Sequence, residues 1–400
     1  MKQFICATFY DFTIGGVPTY FIRMFEWAAA REYKNILYIK QGRVLDGDLH
    51  RELENALVEV RRFSFSYKGI TNERQEKIEE QFSEEDILVT ADIHCFMHFM
   101  NDRNIGRCKG FFYVLHPRAT QITKFKFVNL FYKTFLKKNI CRSIFFMDKE
   151  TEEGYCNYFG EEEKGEYFRV GDFIPEFCRE MVKKKADERK KKFTILTVAR
   201  MDFPFKGYVY GLVNNIDRLE VKDAEIILNV IGDGPDFKLV KELVANKELK
   251  QNLNINLLGS IPYEKLNQFY KQATIFAGGG TTLIEACKYG TPSIVTTDNQ
   301  MGTCCAGYMN EEYDNVGGII ENEEKEIIQL LENIYNMSNE EYIRISEKCY
   351  EIVKKEYDIN NILSNLISQY SGYSKACRMV ESLDLLLIKL KEKIKKKSDK

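Results

Sequence analysis

The sequence has no C-x-x-C pair, no apolar run approaching the ~20 residues that span a bilayer, no repeat of fixed period and almost no net charge. Each absence closes a class of function. Its eleven cysteines are odd in number and scattered from Cys6 to Cys377, a spread that favours reduced thiols in a cytosolic protein over a disulfide framework or a zinc site. Lys and Arg together number 58 against 60 Asp plus Glu, a net charge of −2. A surface built to hold nucleic acid needs a basic excess, so no nucleic-acid partner is expected. The start, residues 1–9, has too short an apolar run for a signal peptide and no cleavage site of small residues after it. A cytoplasmic protein is expected, with any membrane contact peripheral. No G-x-G-x-x-G follows the first strand pattern, which disfavours a nicotinamide or flavin enzyme. Asp46-Gly47-Asp48 has the look of a D-x-D metal site but reads better as an acidic turn. No other cluster has metal-ligand spacing, so neither a metal nor any other cofactor is expected.

What is present is a chain of 400 residues, 44% hydrophobic and 30% charged, the composition of a soluble globular protein of two or three domains. Apolar runs at 3–9, 35–40, 86–90, 110–115 and 143–147 read as strands, and 17–31 reads as a helix. This is the βαβ rhythm of a parallel sheet. The stretch 179–192, REMVKKKADERKKK, interrupts it with eight basic and three acidic residues and reads as a linker or an exposed helix. Strand patterns then resume at 193–198, 224–231, 255–258, 273–276 and 293–296, and 339–370 is helical. The fold class is therefore α/β, with two Rossmann-like doubly wound domains facing a central cleft. The expected boundaries are 1–178, a linker at 179–192, 193–355, and C-terminal helices with a basic tail at 356–400.

Three segments carry chemistry. In 275–292 a strand runs through Gly278, Gly279 and Gly280 into Thr281 and Thr282. Glycines let backbone approach a ligand, and the free N–H groups opening a helix favour an anion such as phosphate. Glu285 lies a turn further on, either poised for ribose hydroxyls or simply solvated. In 194–207 a buried strand ends in Arg200 and, after a loop, Lys206. Two cations at a carboxyl strand end suit a diphosphate without a metal, although a surface ion pair with Asp202 would look the same. The third is Gly15-Gly16, followed by Pro18, directly after the first strand pattern, where a ligand role and a simple tight turn weigh equally.

In this order the three segments resemble the GT-B glycosyltransferases, most closely the retaining family 4 group. The resemblance rests on Gly15-Gly16, on Arg200 and Lys206, on Gly232-Asp233-Gly234-Pro235 and on Gly278 to Ala286, and it covers roughly residues 3 to 370. It implies that Arg200 and Lys206 hold the donor diphosphate and stabilise its charge, and that Gly279, Gly280, Thr281 and Thr282 bind the same phosphates. It further implies that Glu285 binds the ribose and that Gly16, beside Gly15, reaches the donor phosphate. His116, at the end of a first-domain strand, stands where the family often places a His near the transferred sugar. The family's first glutamate of a spaced pair falls on Ala277, which leaves open a protein that binds a nucleotide sugar without catalysis. An epimerase acting on a nucleotide sugar shares the architecture. The expected activity is retaining transfer from a UDP- or GDP-sugar to a saccharide or lipid-linked acceptor in cell-surface polysaccharide synthesis, with no protein nucleophile.

Two segments could address an anionic membrane surface on the inner face of the plasma membrane. Residues 124–142 place Phe127, Leu130, Phe131 and Phe135 at helical spacing with lysines beyond them, as either an interfacial helix or a helix packed on the first sheet would. In the tail, 383–400, seven lysines from Lys389 onward oppose only Glu392 and Asp399 and follow Leu385-Leu386-Leu387-Ile388.

Overall fold

The computed structural model describes residues 1–13, 15–63, 82–93, 95–96, 99, 108–115, 143–160, 162, 167–221, 223–309 and 325–369. The chain divides into two compact units, one formed by Met1–Gly171 with the chain from Ile359, the other by Asp172–Asp358.

In the first unit β1 (Gln3–Thr8), β2 (Lys34–Lys40), β3 (Val58–Phe63), β4 (Ile87–Thr90), β5 (Lys109–Val114) and β6 (Ile144–Phe146) pair in parallel in the order β3-β2-β1-β4-β5-β6. The order reverses between β1 and β4, the switch point beside which doubly wound sheets bind ligands. Helix α1 (Gly16–Ala29) returns the chain from β1 to β2 and buries Phe21, Met24, Phe25 and Trp27. Helices α2 (Gly47–Asn55) and α3 (Lys149–Phe159) follow β2 and β6. Asp46 caps α2, its carboxylate accepting from the N–H groups of Asp48 and Leu49, so the acidic turn is a helix start.

In the second unit the parallel strands β7 (Lys192–Val198), β8 (Glu225–Ile231), β9 (Leu253–Gly259), β10 (Ile275–Gly278) and β11 (Ser293–Thr296) are extended by two antiparallel strands, β12 (Cys304–Tyr308) and β13 (Lys325–Glu326). The order is β13-β12-β11-β10-β7-β8-β9. Consecutive residues of the central strands point to opposite faces. Ile195, Ala277 and Ile294 enter one apolar cluster while Leu196, Phe276 and Val295 enter another. Burying both faces requires continuous apolar strands, and each fully buried Ile, Leu, Val or Phe side chain contributes about 1.5–3 kcal/mol relative to exposure.

The helices of this unit are α4 (Arg179–Glu188), α5 (Tyr208–Asn215), α6 (Phe237–Ala245), α7 (Tyr263–Gln272), α8 (Thr281–Cys287), α9 (Ile327–Asn336) and α10 (Asn339–Glu356). The expected linker at 179–192 is thus helix α4 and the start of β7, inside the second unit. Val182 and Ala186 join its core, and Arg189, fully buried, donates to the carbonyl of Ile334 and to Asn339 Oδ1. Lys185 is buried too, donating to Thr291 Oγ1 at 2.7 Å. Charge density suggested solvent, but Val182, Lys185 and Ala186 are buried while the other charges of the helix are exposed. After α10 the chain returns to the first unit as α11 (Ile359–Ser368), where Ile359, Ile362, Leu363 and Leu366 are buried. Of the expected C-terminal helices from 356, α11 falls within the described residues, and 370–400 lie outside them.

Candidate functional site

The site grows from the carboxyl ends of β7, β8 and β10. After β7 the loop carrying Arg200 is held by the turn that follows β8. The N–H of Ala199 donates to Ile231 O at 3.0 Å, and the N–H of Met201 to Asp233 O at 3.0 Å. Gly232 and Gly234, at φ +129° and +154°, make this possible. A Cβ on Gly232 would lie 1.9 Å from Ala199 O, and one on Gly234 2.4 Å from Met201 O. The Gly-Asp-Gly turn is thus the mould of the Arg200 loop. Asp236 finishes it by accepting from Phe203 N–H at 2.7 Å. Arg200 projects from this loop, exposed.

Lys206 lies just before α5, half-buried, and its ammonium meets Asp298 Oδ1 at 2.7 Å. Asp298 stands in the loop after β11, a residue that sequence reasoning missed. A D two residues beyond a strand pattern at 293–296 was the available signal. The anticipated surface pair with Asp202 is not formed; Asp202 is exposed and its carbonyl accepts the Lys206 N–H at 2.9 Å. Two residues on, Tyr208 is fully buried, and its hydroxyl reaches to 3.5 Å from where a Cβ of Gly278 would sit. Burial pushes its phenol up, keeping it neutral. Tyr208 therefore packs the start of α5 against the glycine segment, and Lys206 and the Gly278–Gly280 backbone belong to one neighbourhood.

At that segment β10 ends at Gly278, and Gly280, at φ +71°, turns the chain into α8. The positive φ is why glycine stands there. Thr282 Oγ1 donates back to Gly279 O at 3.0 Å. The N–H groups of Thr281 and Thr282 open the helix and have no acceptor within it. Ala277 is a residue of β10, 0% exposed, with its side chain in the apolar cluster of Ile195 and Ile294. Ala277 is thus a core position of β10.

Glu285 is 2% exposed, which sets aside the solvated reading. Tyr263 OH, at the start of α7, donates to its Oε1, and Lys288 Nζ lies 2.8 Å from its Oε2. The same ammonium meets Asp172 Oδ2 at 2.7 Å. One buried cation thus serves two buried carboxylates. Burial alone would lower the Lys288 pKa, but Glu285 and Asp172 outweigh it and hold the ammonium above its ordinary value. Tyr263 and Asp172 were not legible in the sequence, because they come from other segments, and Lys288, one helical turn from Glu285, was overlooked.

The remaining expected residues belong to the first unit. Gly15 has extended backbone and Gly16 begins α1 after β1. A Cβ at Gly16 would meet nothing within 4 Å, so packing does not require glycine there. His116 lies outside the described residues, as do 124–142 and 383–400. Among the described residues no helix is long and apolar enough to cross a membrane.

Residues 179–349 match the family model for glycosyl transferases group 1. Over the whole chain the fold is similar to that of solved structures at low identity. HepE from Anabaena, solved in complex with UDP-glucose, matches with 14% identity and a TM-score of 0.57, covering 92% of this chain and 99% of that one. A TarM mutant from S. aureus, solved with fondaparinux, alpha-GlcNAc-glycerol and UDP, matches with 10% identity and a TM-score of 0.59, covering 93% and 100%. The lipopolysaccharide outer core galactosyltransferase WaaB, in its apo form, matches with 14% identity and a TM-score of 0.55, covering 92% and 99%. No curated protein sequence matches the chain.

Proposed function

We propose that the chain, whose residues 179–349 match the family model for glycosyl transferases group 1, is a glycosyltransferase that moves a sugar from a nucleoside diphosphate donor to a saccharide or lipid-linked acceptor with retention of configuration. The observation that carries the donor side is the gathering of Arg200, Lys206 and the 279–282 backbone at the carboxyl ends of the neighbouring strands β7 and β10. Two cations and unpaired N–H groups suit a diphosphate, and they stabilise the charge that grows on it as the glycosidic bond breaks. In the step itself the bond from the anomeric carbon to the diphosphate oxygen breaks and the acceptor oxygen bonds that carbon. The acceptor proton passes to the leaving phosphate oxygen, so no protein nucleophile is needed.

Asp298 holds Lys206 in place and leaves the remaining ammonium hydrogens for phosphate oxygens. Glu285 takes the ribose. Its carboxylate is covered by Tyr263, which is 41% exposed, and a ribose hydroxyl reaches it by replacing the phenol as donor. The UDP-glucose bound in HepE and the UDP bound in the TarM mutant support a uridine nucleotide, and the likeness to WaaB supports a setting in cell-surface polysaccharide synthesis. Calorimetry tests the reading. Binding of UDP or GDP, and of a corresponding nucleotide sugar, is expected; no binding of any nucleoside diphosphate refutes it. Donor incubated alone and followed by NMR distinguishes transfer from epimerisation, since transfer leaves the sugar unchanged without an acceptor. Peripheral attachment through 124–142 and 383–400 is tested separately, by sedimentation with phosphatidylglycerol vesicles.

A further inference from the structure

The first unit carries a group of cations that nothing above uses. Lys40 ends β2, Arg43 lies in the loop after it, and Arg62 is near the end of β3. These are neighbouring strands, and all three residues sit at their carboxyl ends, the side on which open α/β sheets bind ligands. Other basic residues of this region are matched: Arg61 by Glu59 at 2.8 Å, Lys34 by Glu59 at 3.1 Å and Arg51 by Asp48 at 2.6 Å. Lys40, Arg43 and Arg62 form no ion pair among the described residues. They are held by neutral groups instead. Lys40 Nζ lies 3.8 Å from the centre of the Phe9 ring, Arg43 Nε donates to Phe9 O at 3.1 Å, and Arg62 Nη1 donates to Arg43 O at 2.7 Å.

The platform beneath them is firm. The segment after β1 and the segment after β2 are laced together, Phe12 N–H donating to Val44 O at 2.8 Å and Asp46 N–H to Phe12 O at 2.9 Å. Asp11, an acid on these loops, accepts from Val44 N–H at 2.9 Å, and Asp46 accepts from the N–H groups of Asp48 and Leu49. Arg43 and Lys40 are half-buried, so their charges are already partly stripped of water. Burial and the neighbouring Arg43 charge both hold the Lys40 ammonium below its ordinary pKa, the condition that an incoming anion relieves. On the rim, Tyr10 and Val44 stand 58% and 57% exposed on the same two loops. An exposed aromatic ring offers an apolar face and a polar tip, a surface on which a sugar ring can lie.

We propose that this surface binds a saccharide acceptor bearing an anionic group, a phosphate or a carboxylate, through Lys40, Arg43 and Arg62, with the sugar against Tyr10. Guanidinium groups match the planar or tetrahedral oxygens of both anions, and partly desolvated charges make the stronger hydrogen bonds. The inference rests on the transferase reading for the word acceptor; the binding site stands on the first unit alone.

The test uses the full chain saturated with UDP, so that the diphosphate positions of the second unit are occupied. Glucose 6-phosphate, glucuronate and neutral methyl glucoside are titrated by calorimetry at low and at raised salt. At least one anionic probe is expected to bind roughly tenfold or more tightly than the neutral one, as one charge-assisted hydrogen bond allows, with the preference shrinking as salt rises. The two anions tell a phosphate site from a carboxylate site. In the double variant Lys40→Gln, Arg43→Gln the preference falls to within about twofold of neutral, the contribution of those bonds being gone, while UDP affinity stays. Arg62→Gln, at an exposed position that the fold does not need, gives a smaller loss in the same direction. Equal binding of charged and neutral probes, or a preference unmoved by these substitutions, overturns the proposal. If UDP itself fails to bind, the donor reading falls, and the anion preference measured without UDP still decides this one through its dependence on Lys40 and Arg43.

Discussion

Lys288→Met is the sharpest probe of how the donor side is built. The methionine keeps the length and loses the charge, leaving Asp172 and Glu285 as two carboxylates in a site where they are 5% and 3% exposed. Removing one member of a buried ion pair costs about 3–5 kcal/mol, because the abandoned charge is neither solvated nor paired. Here one lysine serves two acids, so the upper part of that range is expected. For a domain of this size, 1 kcal/mol shifts the melting temperature by about 2–4 °C, which predicts a fall of roughly 6–20 °C by calorimetry. The variant should also recover stability as pH falls from 7 towards 5. Losing the Lys288 charge disfavours the ionised forms of both acids relative to the parent, so the added cost disappears as they take up protons. Adding Glu285→Gln to Lys288→Met removes one of the stranded charges and should restore part of the loss at pH 7. A single variant within about 1 kcal/mol of the parent, well under the cost of stranding a buried charge, with no gain at lower pH, would refute the reasoning.

Lys206→Ala removes one charge-assisted contact to the leaving diphosphate and strands Asp298; turnover should fall by about 10²–10³, the cost of losing one such donor, in an assay that follows UDP or GDP release. Gly232→Ala puts a methyl 1.9 Å from Ala199 O at a backbone conformation closed to other residues, so a loss of about 1–3 kcal/mol should accompany weaker nucleotide binding through the displaced Arg200 loop. Lys185 is held down to about 7 by burial. Its charged form is disfavoured in the fold, so the protein should gain stability as pH rises from 7 towards the ordinary lysine value. Lys185→Met should flatten that rise in urea titrations across the range.

The alternation of apolar strands and amphipathic helices was readable because buried parallel strands must be apolar on both faces. The runs at 193–198, 224–231 and 293–296 became β7, β8 and β11 within two residues. The strands overlooked lie at a sheet edge or next to one. In β3, VEVRRF, one side faces solvent and its charges break the run, and β12 is a short antiparallel addition containing Gly307. Of the two readings of 179–192, linker or exposed helix, the helix holds, and what the sequence hid was its narrow buried stripe of Val182, Lys185 and Ala186.

Arg200, Lys206 and Gly278–Thr282 were legible because strand-end loops carry local signals, a cation after an apolar run or glycines before a helix. Taken alone, the sequence determined two doubly wound halves and, in the second, a pattern of cations and glycines that suits a diphosphate. Only the tertiary structure decided the partners: Asp298 for Lys206, Tyr263, Lys288 and Asp172 around Glu285, and the burial of Ala277. Apart from Lys288 with Glu285, one helical turn away, those pairings join residues from separate segments of the chain. Linear patterning follows the period of a helix or strand, whereas a charge in the interior is fixed by whatever the fold brings within about 3 Å of it, the reach of a hydrogen bond.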